Sequence, residues 1–200
     1  MTTPSGSPNV QWAVLGGVTL AFSIVYFVSD VIELIQGGFS STQLALTYAA
    51  EVVIPFLVLA LYAFQRPRIG RIGFIGALAY AYAFIFFTGT VAYALVDHTS
   101  DWNALTHRFG AWITIHSAIM VIAGIMFGLA TIRAGALPRW TGATLILGMI
   151  LMTAAMTLPD GAQTAAAGVR DLAFAGMGGS LLVSSSARRR RLPWRGVAPA

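Results

Sequence analysis

The chain contains no cysteine and no lysine among its 200 residues, and only 10% of the residues are charged. The absence of cysteine excludes disulfides, thiolate metal sites and thiol redox chemistry. The absence of lysine excludes a Schiff base to a cofactor such as retinal or pyridoxal phosphate. The chain is instead rich in apolar residues: 57% are hydrophobic and the mean hydropathy is +0.76. This composition excludes an ordinary soluble domain.

Long apolar runs predict an all-α, polytopic membrane protein. A membrane span needs about 20 apolar residues, and the runs that meet or approach this length are 11–36, 42–64, 72–96, 109–132, 141–158 and 165–186. We therefore predict a cytoplasmic N-terminus over residues 1–10, a single domain of six transmembrane helices over 11–186, and a basic cytoplasmic tail over 187–200. The alternative is five spans, because the last two runs are marginal in length or polarity.

The arginines assign the sides of the membrane. If six spans alternate from an inside N-terminus, ten of the twelve basic residues are cytoplasmic, namely Arg66, Arg68, Arg71, Arg133, Arg139, Arg188–Arg191 and Arg195. Arginine-rich short loops stay in the cytoplasm, so both termini are predicted inside and the protein is predicted to lie in the plasma membrane. The sequence pI near 10.2 then reflects topology. We predict no nucleic-acid partner.

Acidic residues inside the apolar runs mark a candidate site. These residues are Asp30 and Glu33 in the first run, Glu51 in the second and Asp171 in the last, where Arg170 precedes it. A charged group in hydrocarbon costs roughly 3 kcal/mol or more, so intramembrane charges usually mark a functional site. At a rise of about 1.5 Å per residue, one level in the outer half of the bilayer also holds Thr88, Thr90, Tyr93 and His116, and Tyr26 lies below Asp30 on the same helix face.

The residue types at this level suggest roles. We predict that Glu51, Asp30 and Asp171 are catalytic or carry protons, and that the ligand is bound by Glu33, His116, Arg170, Tyr26, Thr88 and Tyr93. Four acids face one arginine and one histidine, so not all of them can be ionised and paired, which leaves a bound proton or room for a cation. Neighbouring helical residues point about 100° apart. Arg170 and Asp171 are therefore expected to pair poorly with each other, and Arg170 to bridge an acid of the first two runs.

No metal or cofactor is predicted. The loop before the fourth run carries Asp97, His98, Asp101 and His107. These side chains offer donor atoms for Zn²⁺, but their spacing fits no strong metal signature. Haem would need axial ligands that face each other across helices, and His116 is the single histidine within an apolar run.

Three interpretations of the polar level remain open. The favoured one is binding or transport of a small apolar or cationic molecule with proton coupling, because no nucleophile, metal or oxyanion donor accompanies the acids. The second is a membrane-embedded enzyme whose buried carboxylic acid protonates a lipid or isoprenoid substrate. The third is a polar clasp that fixes helix packing in a scaffold or partner subunit. The expected partners are membrane lipids, the ligand and a second copy of the chain.

Two turns between apolar runs share a pattern. Arg66–Gly73 and Leu137–Gly142 each combine proline, arginine and glycine, which indicates a duplicated helical hairpin. The alternative is that short cytoplasmic turns are commonly built from these residues. The segments Gln65-Arg-Pro-Arg68 and Leu137-Pro-Arg-Trp-Thr-Gly142, with the apolar run that follows, resemble small, uncharacterised multi-pass membrane proteins of high-GC bacteria. The resemblance implies a six-helix membrane fold and no activity.

Overall fold

Each apolar run of the sequence forms a helix. The computed structural model describes residues 8–190, in which the helices are α1 (Pro8–Gln36), α2 (Ser41–Gln65), α3 (Gly70–Asp97), α4 (Trp102–Phe109), α5 (Ala111–Ala134), α6 (Arg139–Ala155) and α7 (Asp160–Arg190). No residue in this range belongs to a β-strand, so the all-α prediction is confirmed for it. Most of the predicted N-terminal segment 1–10 and of the basic tail 187–200 lies outside the described residues.

The helix boundaries follow from capping and turn residues. Ser40 caps α2, where its side chain accepts a hydrogen bond from the Gln43 amide at 3.2 Å. Gly135 adopts the left-handed conformation that ends α5, and Pro138 precedes α6. Helix α4 was not predicted, because it has only eight residues, half of them polar, and carries no apolar run.

Four helices are long and apolar enough to cross a membrane: α1, α2, α3 and α5. Helix α6 is apolar but has only 17 residues, and α7 has 31 residues but is not among the four. The structure thus supports a membrane protein with several candidate spans. The six-span count and the duplicated hairpin stay predictions.

The six long helices form a closed ring. Each packs mainly against two neighbours, in the order α1, α2, α3, α5, α6, α7 and back to α1. The ring closes where α1 and α7 approach closely, since a Cβ atom built on Gly16 would lie 2.7 Å from the carbonyl oxygen of Gly178. The interior holds fully buried side chains such as Tyr80, Phe84 and Phe127.

The two ends of this ring differ. The α2–α3 and α5–α6 connections lie at one end, which we call the arginine end because Arg66, Arg68 and Arg139 lie there. The α1–α2 and α6–α7 connections and helix α4 lie at the opposite end, which we call the cavity end. The helix order therefore brings all predicted intramembrane acids to the half of the ring nearer the cavity end.

Candidate functional site

A cavity of about 330 Å³ opens at the cavity end of the ring. All seven helices of the described chain contribute to its wall. Its acidic lining residues are Asp30, Glu33, Glu51 and Asp101, and its aromatic lining residues are Tyr26, Phe39, Phe84, Phe87 and Trp102. A cavity of this size has room for a small molecule, and its wall combines apolar with many polar side chains.

Glu51 occupies the deep part of the cavity wall. Its side chain is only 3% exposed, and its Oε1 accepts a hydrogen bond from the Tyr26 hydroxyl at 2.7 Å. Among the described residues, no hydrogen-bond donor lies near Oε2 of this carboxyl group. The Tyr26 and Phe84 rings meet edge to face beside it, 6.3 Å apart. One carboxyl oxygen of Glu51 is thus hydrogen-bonded to Tyr26, and the other has no donor among the described residues.

A polar network joins α1 to α2 between Glu51 and the cavity end of the ring. The side-chain amide of Gln43 donates to the Glu33 carboxylate at 3.1 Å and to the Thr47 hydroxyl at 3.0 Å. Thr47 lies 3.1 Å from the Ser29 hydroxyl, which itself donates to the Tyr26 carbonyl at 2.7 Å. We call Ser29, Glu33, Gln43, Thr47 and Glu51 the α1–α2 seam.

Sequence reasoning missed three members of this seam. Ser29, Gln43 and Thr47 are uncharged, so a search for intramembrane charges passes over them. The signal was nevertheless present, because Gln43, Thr47 and Glu51 are spaced four residues apart and therefore share one face of α2.

Arg170 lies at the centre of a second polar group. Its Nε and one Nη atom each lie 2.9 Å from Oδ1 of Asp171, and the same Nη lies 3.8 Å from Oδ2 of Asp30. The guanidinium carbon is 4.5 Å from the centre of the Tyr26 ring, within cation–π range. We call Asp30, Arg170 and Asp171 the Arg170 cluster.

The Arg170 cluster corrects one prediction and bears out another. The expected bridge from Arg170 to an acid of α1 is present as the contact with Asp30. The expectation that Arg170 and Asp171 pair poorly is wrong. The 100° offset between neighbouring residues applies to their Cα–Cβ directions, whereas the long arginine side chain curls sideways and reaches the next carboxylate.

Gly148 of α6 brings the Arg170 backbone to the interior of the ring. A Cβ atom built on Gly148 would lie 2.7 Å from the Arg170 amide nitrogen and 2.8 Å from its Cα. Only glycine permits so close an approach of two helix backbones. The position of the guanidinium therefore depends on a residue that itself carries no polar side chain.

Three predicted ligand-binding residues lie away from the acids. His116 is buried between α3 and α5, where Nε2 lies 3.1 Å from the Tyr82 hydroxyl and its ring stacks on Phe86 with centroids 3.7 Å apart. Thr88 donates to the Phe84 carbonyl of its own helix. Tyr93 accepts a hydrogen bond from Arg108 at 3.1 Å. None of the three residues belongs to the cavity wall, although Tyr26, Glu33 and Arg170 do.

Helix α4 and two connections cover the cavity end. The Phe39 amide donates to the Ser100 carbonyl at 2.8 Å, which ties the α1–α2 connection to the segment before α4. Asp101 caps α4, and hydrogen bonds from the Ala104 amide and the Ser100 hydroxyl lower the pKa of its carboxyl group. Asp101 is therefore ionised at neutral pH and places a negative charge at the cavity wall.

The histidines that flank or belong to α4, His98 and His107, do not belong to a three-residue metal-ligand group among the described residues. Among the residues whose placement is described, no group of three or more histidine, aspartate or glutamate side chains is arranged to hold a metal ion. His98 adopts the left-handed conformation that ends α3, and His107 is exposed in the last turn of α4.

No protein-family model, no curated protein and no solved structure matches this chain. Its function therefore has to be inferred from the cavity and from the two polar groups beside it.

Proposed function

We propose that this chain is a plasma-membrane protein with six spans that binds a small amphipathic cation in its cavity and moves it in exchange for protons. Four helices have the length and composition of spans. Helices α6 and α7 complete the same ring between α5 and α1, so a membrane around the four would surround them as well. The arginine end then faces the cytoplasm, in accord with the positive-inside rule.

The observation that carries this proposal is the charge of the cavity wall. Asp30, Glu33, Glu51 and Asp101 all line the cavity, and Arg170 is the one basic residue among the described lining residues. Its guanidinium already contacts Asp171 and Asp30. The cavity is therefore acidic, and a positively charged ligand is favoured over an anion.

The apolar part of the wall suits a ligand with an apolar body. Phe84, Phe87 and Trp102 supply aromatic surface, and Met120, Met152 and Met156 supply adaptable thioether side chains. Aromatic faces attract cations as well as apolar groups, and methionine accommodates ligands of varied shape. The combination favours an organic amine or a similar lipophilic cation over a hydrated metal ion.

Glu51 is the residue on which proton coupling would depend. Its oxygen Oε2 is buried without a hydrogen-bond donor among the described residues, and Glu51 lines the cavity. A carboxyl group in such surroundings is neutralised either by a proton or by a bound cation. Binding of the cation at Glu51 would therefore release a proton, which is the exchange that an antiporter needs.

Proton flux in liposomes tests the proposal. Purified protein is reconstituted with a pH-sensitive dye inside, and tetraphenylphosphonium is added outside. We expect the cation to drive a proton movement that Glu51→Gln abolishes. Asp97→Asn serves as the matched control, because Asp97 is exposed and lies outside the cavity wall. Binding of the cation without any proton movement would contradict the coupling, and absence of both would contradict the proposed function.

Cysteine labelling tests the topology on a chain that has no cysteine of its own. Cysteine is introduced at Ser100, near the cavity end, or at Ser186, near the end of α7. We expect an impermeant maleimide added to intact cells to label position 100 and to leave position 186 unlabelled. The reverse pattern would overturn the proposed orientation.

A second candidate function is supported by the same carboxyl group. Glu51 lies beside the aromatic rings of Tyr26 and Phe84, in surroundings where a neutral carboxylic acid can protonate an isoprenoid double bond. In that case membranes that contain the protein would accumulate a lipid product that is missing with Glu51→Gln. Lipid extracts compared by mass spectrometry separate this enzyme from a transporter, which changes no lipid.

The clasp interpretation applies to the Arg170 cluster alone. Asp171 and Asp30 both contact Arg170, and these contacts join α7 to α1. We assign these three residues a structural role, and we assign the ligand to the α1–α2 seam. Association with a second copy of the chain stays a prediction.

A further inference from the structure

Helix α2 presents two unpartnered acceptor oxygens to the cavity. They are Oε2 of Glu51 and Oε1 of Gln43, neither of which has a hydrogen-bond donor among the described residues. Glu51 is 3% exposed and Gln43 is 1% exposed, and both line the cavity. A buried acceptor without a donor is costly, so each oxygen indicates a place where a bound group donates.

The two oxygens lie far apart along one wall. Gln43 and Glu51 are two helical turns apart on the same face, which corresponds to about 12 Å at the α-helical rise. The Gln43 side chain leans toward Thr47, whose hydroxyl its side-chain amide contacts at 3.0 Å, so the two side-chain ends are at most this far apart. Each position has a carboxylate. At one position it is that of Glu51, and at the other it is that of Glu33, which lies 3.1 Å from the side-chain amide of Gln43. A single small cation cannot contact both positions.

The α3 side of the wall between these positions is mainly apolar, with Thr90 as its polar residue. Phe84, Phe87 and Val91 follow each other at spacings of three and four residues on α3, and all three line the cavity. Phe84 lies against Tyr26 beside Glu51, whereas Val91 packs in the same cluster as Leu44, next to Gln43. The apolar surface thus runs from one acceptor position to the other.

We propose that the ligand is a linear dication with an apolar middle, such as an α,ω-diamine or a polyamine. One ammonium group lies at Glu51 and the other lies at Gln43 and Glu33, while the methylene chain lies along Phe84, Phe87 and Val91. This inference rests on the proposed function and specifies the ligand class of the same cavity.

A chain-length series tests the inference. Binding of α,ω-diaminoalkanes from propane to dodecane is measured by calorimetry on detergent-purified protein, beside the monoamines of the same carbon number. We expect an optimum at one chain length, that of diaminooctane or somewhat shorter, because the Gln43 side chain leans toward Glu51. At the optimum the diamine should bind about tenfold or more tightly than the monoamine, as expected for a second charge-assisted hydrogen bond.

Two variants remove one position each. Glu51→Gln and Glu33→Gln should each lower the affinity for diaminooctane to about that of octylamine, and Asp97→Asn should leave both affinities unchanged. A thermal melt of each variant confirms that the ring is intact. The variants keep the length of the side chain, so a loss of affinity reports the lost charge.

The outcomes separate this inference from the proposed function. If diamines and monoamines bind equally, or if the affinity rises steadily with chain length in both series, the dication inference is overturned while the cation site stands. If neither the amines nor tetraphenylphosphonium bind, both proposals fail. An optimum in the diamine series alone, lost in both glutamate variants, supports both.

Discussion

The Arg170 cluster and the α1–α2 seam contain the same kinds of residue in the same half of the ring, yet they differ in how their oxygens are occupied. Arg170 supplies donors to Asp171 and Asp30 and lies on the Tyr26 ring. The seam contains no arginine, and its Glu51 and Gln43 each retain a buried acceptor without a donor, whereas the one such oxygen of the Arg170 cluster, Oδ2 of Asp171, belongs to a carboxylate whose other oxygen is held by Arg170.

This difference shows why the position of a charge within a membrane span does not by itself define a site. A buried carboxylate that meets a guanidinium stabilises helix packing. A buried acceptor that meets no donor is stable only if a proton, water or ligand reaches it. We therefore expect changes in the Arg170 cluster to affect stability, and changes in the seam to affect binding.

The largest effect on stability is expected from Arg170→Gln. The change leaves Asp171 and Asp30 buried beside a neutral side chain, and loss of one partner of a buried ion pair costs about 3–5 kcal/mol. The melting temperature in detergent should fall sharply. Adding Asp171→Asn to Arg170→Gln should recover part of this loss, because the stranded carboxylate is removed.

A melting temperature of Arg170→Gln close to that of the wild type would contradict the assignment of a structural role to this cluster. In that case the arginine would have to be placed with the ligand, and the comparison between the two polar groups would fail.

The next effect is expected from Gly148→Ala. The added methyl group would meet the Arg170 backbone at 2.7 Å, which forces α6 and α7 apart, and overpacking of this kind costs about 1–3 kcal/mol. Gly179→Ala on α7 is the control, because a Cβ atom there meets nothing within 4 Å. Alanine favours helix over glycine, so the control should be neutral or slightly stabilising. Equal melting temperatures for the two variants would show that the close approach at Gly148 does not position Arg170.

The helices of this fold could be predicted from the sequence because hydropathy acts over whole runs. Each of the six runs corresponds to a helix within a few residues, for example 42–64 to Ser41–Gln65. Helix α4 could not be found this way, since its one buried side chain is Leu105 and its start depends on the Asp101 cap.

The candidate site could be predicted only in part. The sequence gives the depth of a residue along its helix, but it does not give which direction around the helix axis faces the interior of the ring. Asp30, Glu51 and Arg170 share a level and also lie on the cavity wall. His116 was predicted at the same level, but it lies against Phe86 and Tyr82 instead. The face that each helix turns to the interior of the ring determines which residues meet. A single sequence gives the relative directions of residues on one helix, but not which of them faces the interior.

Glu51→Gln should distinguish the seam from the Arg170 cluster most directly. Glutamine keeps an oxygen that accepts from the Tyr26 hydroxyl, so we expect a change in stability of less than about 1 kcal/mol, the worth of one hydrogen bond. Binding of tetraphenylphosphonium should be lost in the same variant. The measurement is a melting curve together with tetraphenylphosphonium binding.

The double variant Glu51→Gln with Arg170→Gln sharpens this result. Glu51 accepts from Tyr26, whereas the ion-pair partners of Arg170 are Asp171 and Asp30. The Arg170 guanidinium also lies on the Tyr26 ring, so the two residues share a neighbour and the loss in the double variant should equal the sum of the single losses only to within about 1 kcal/mol. A large loss from Glu51→Gln that Arg170→Gln partly restores would mean that Glu51 is itself half of an ion pair, and that the seam is a second clasp.

The smallest effect is expected from Asp101→Asn. Asparagine also caps helices well, so α4 should remain folded while the cavity wall loses one exposed negative charge. The association rate of a fluorescent cation, measured by stopped flow, should fall severalfold at low salt and approach the wild-type rate near about 1 M salt, where charges are screened.

The effect of Asp101 should also depend on pH. Because hydrogen bonds lower the pKa of Asp101, its charge should persist as the pH falls below the ordinary aspartate pKa of about 4. The contribution of the Asp101 charge to the association rate is therefore present at and above the ordinary pKa of an aspartate, and it is lost only as the pH falls through the lowered pKa of Asp101. A rate that is equal in the two proteins at low salt would show that Asp101 plays no part in attracting the ligand, and would restrict the acidic field of the cavity to Glu33, Glu51 and Asp30.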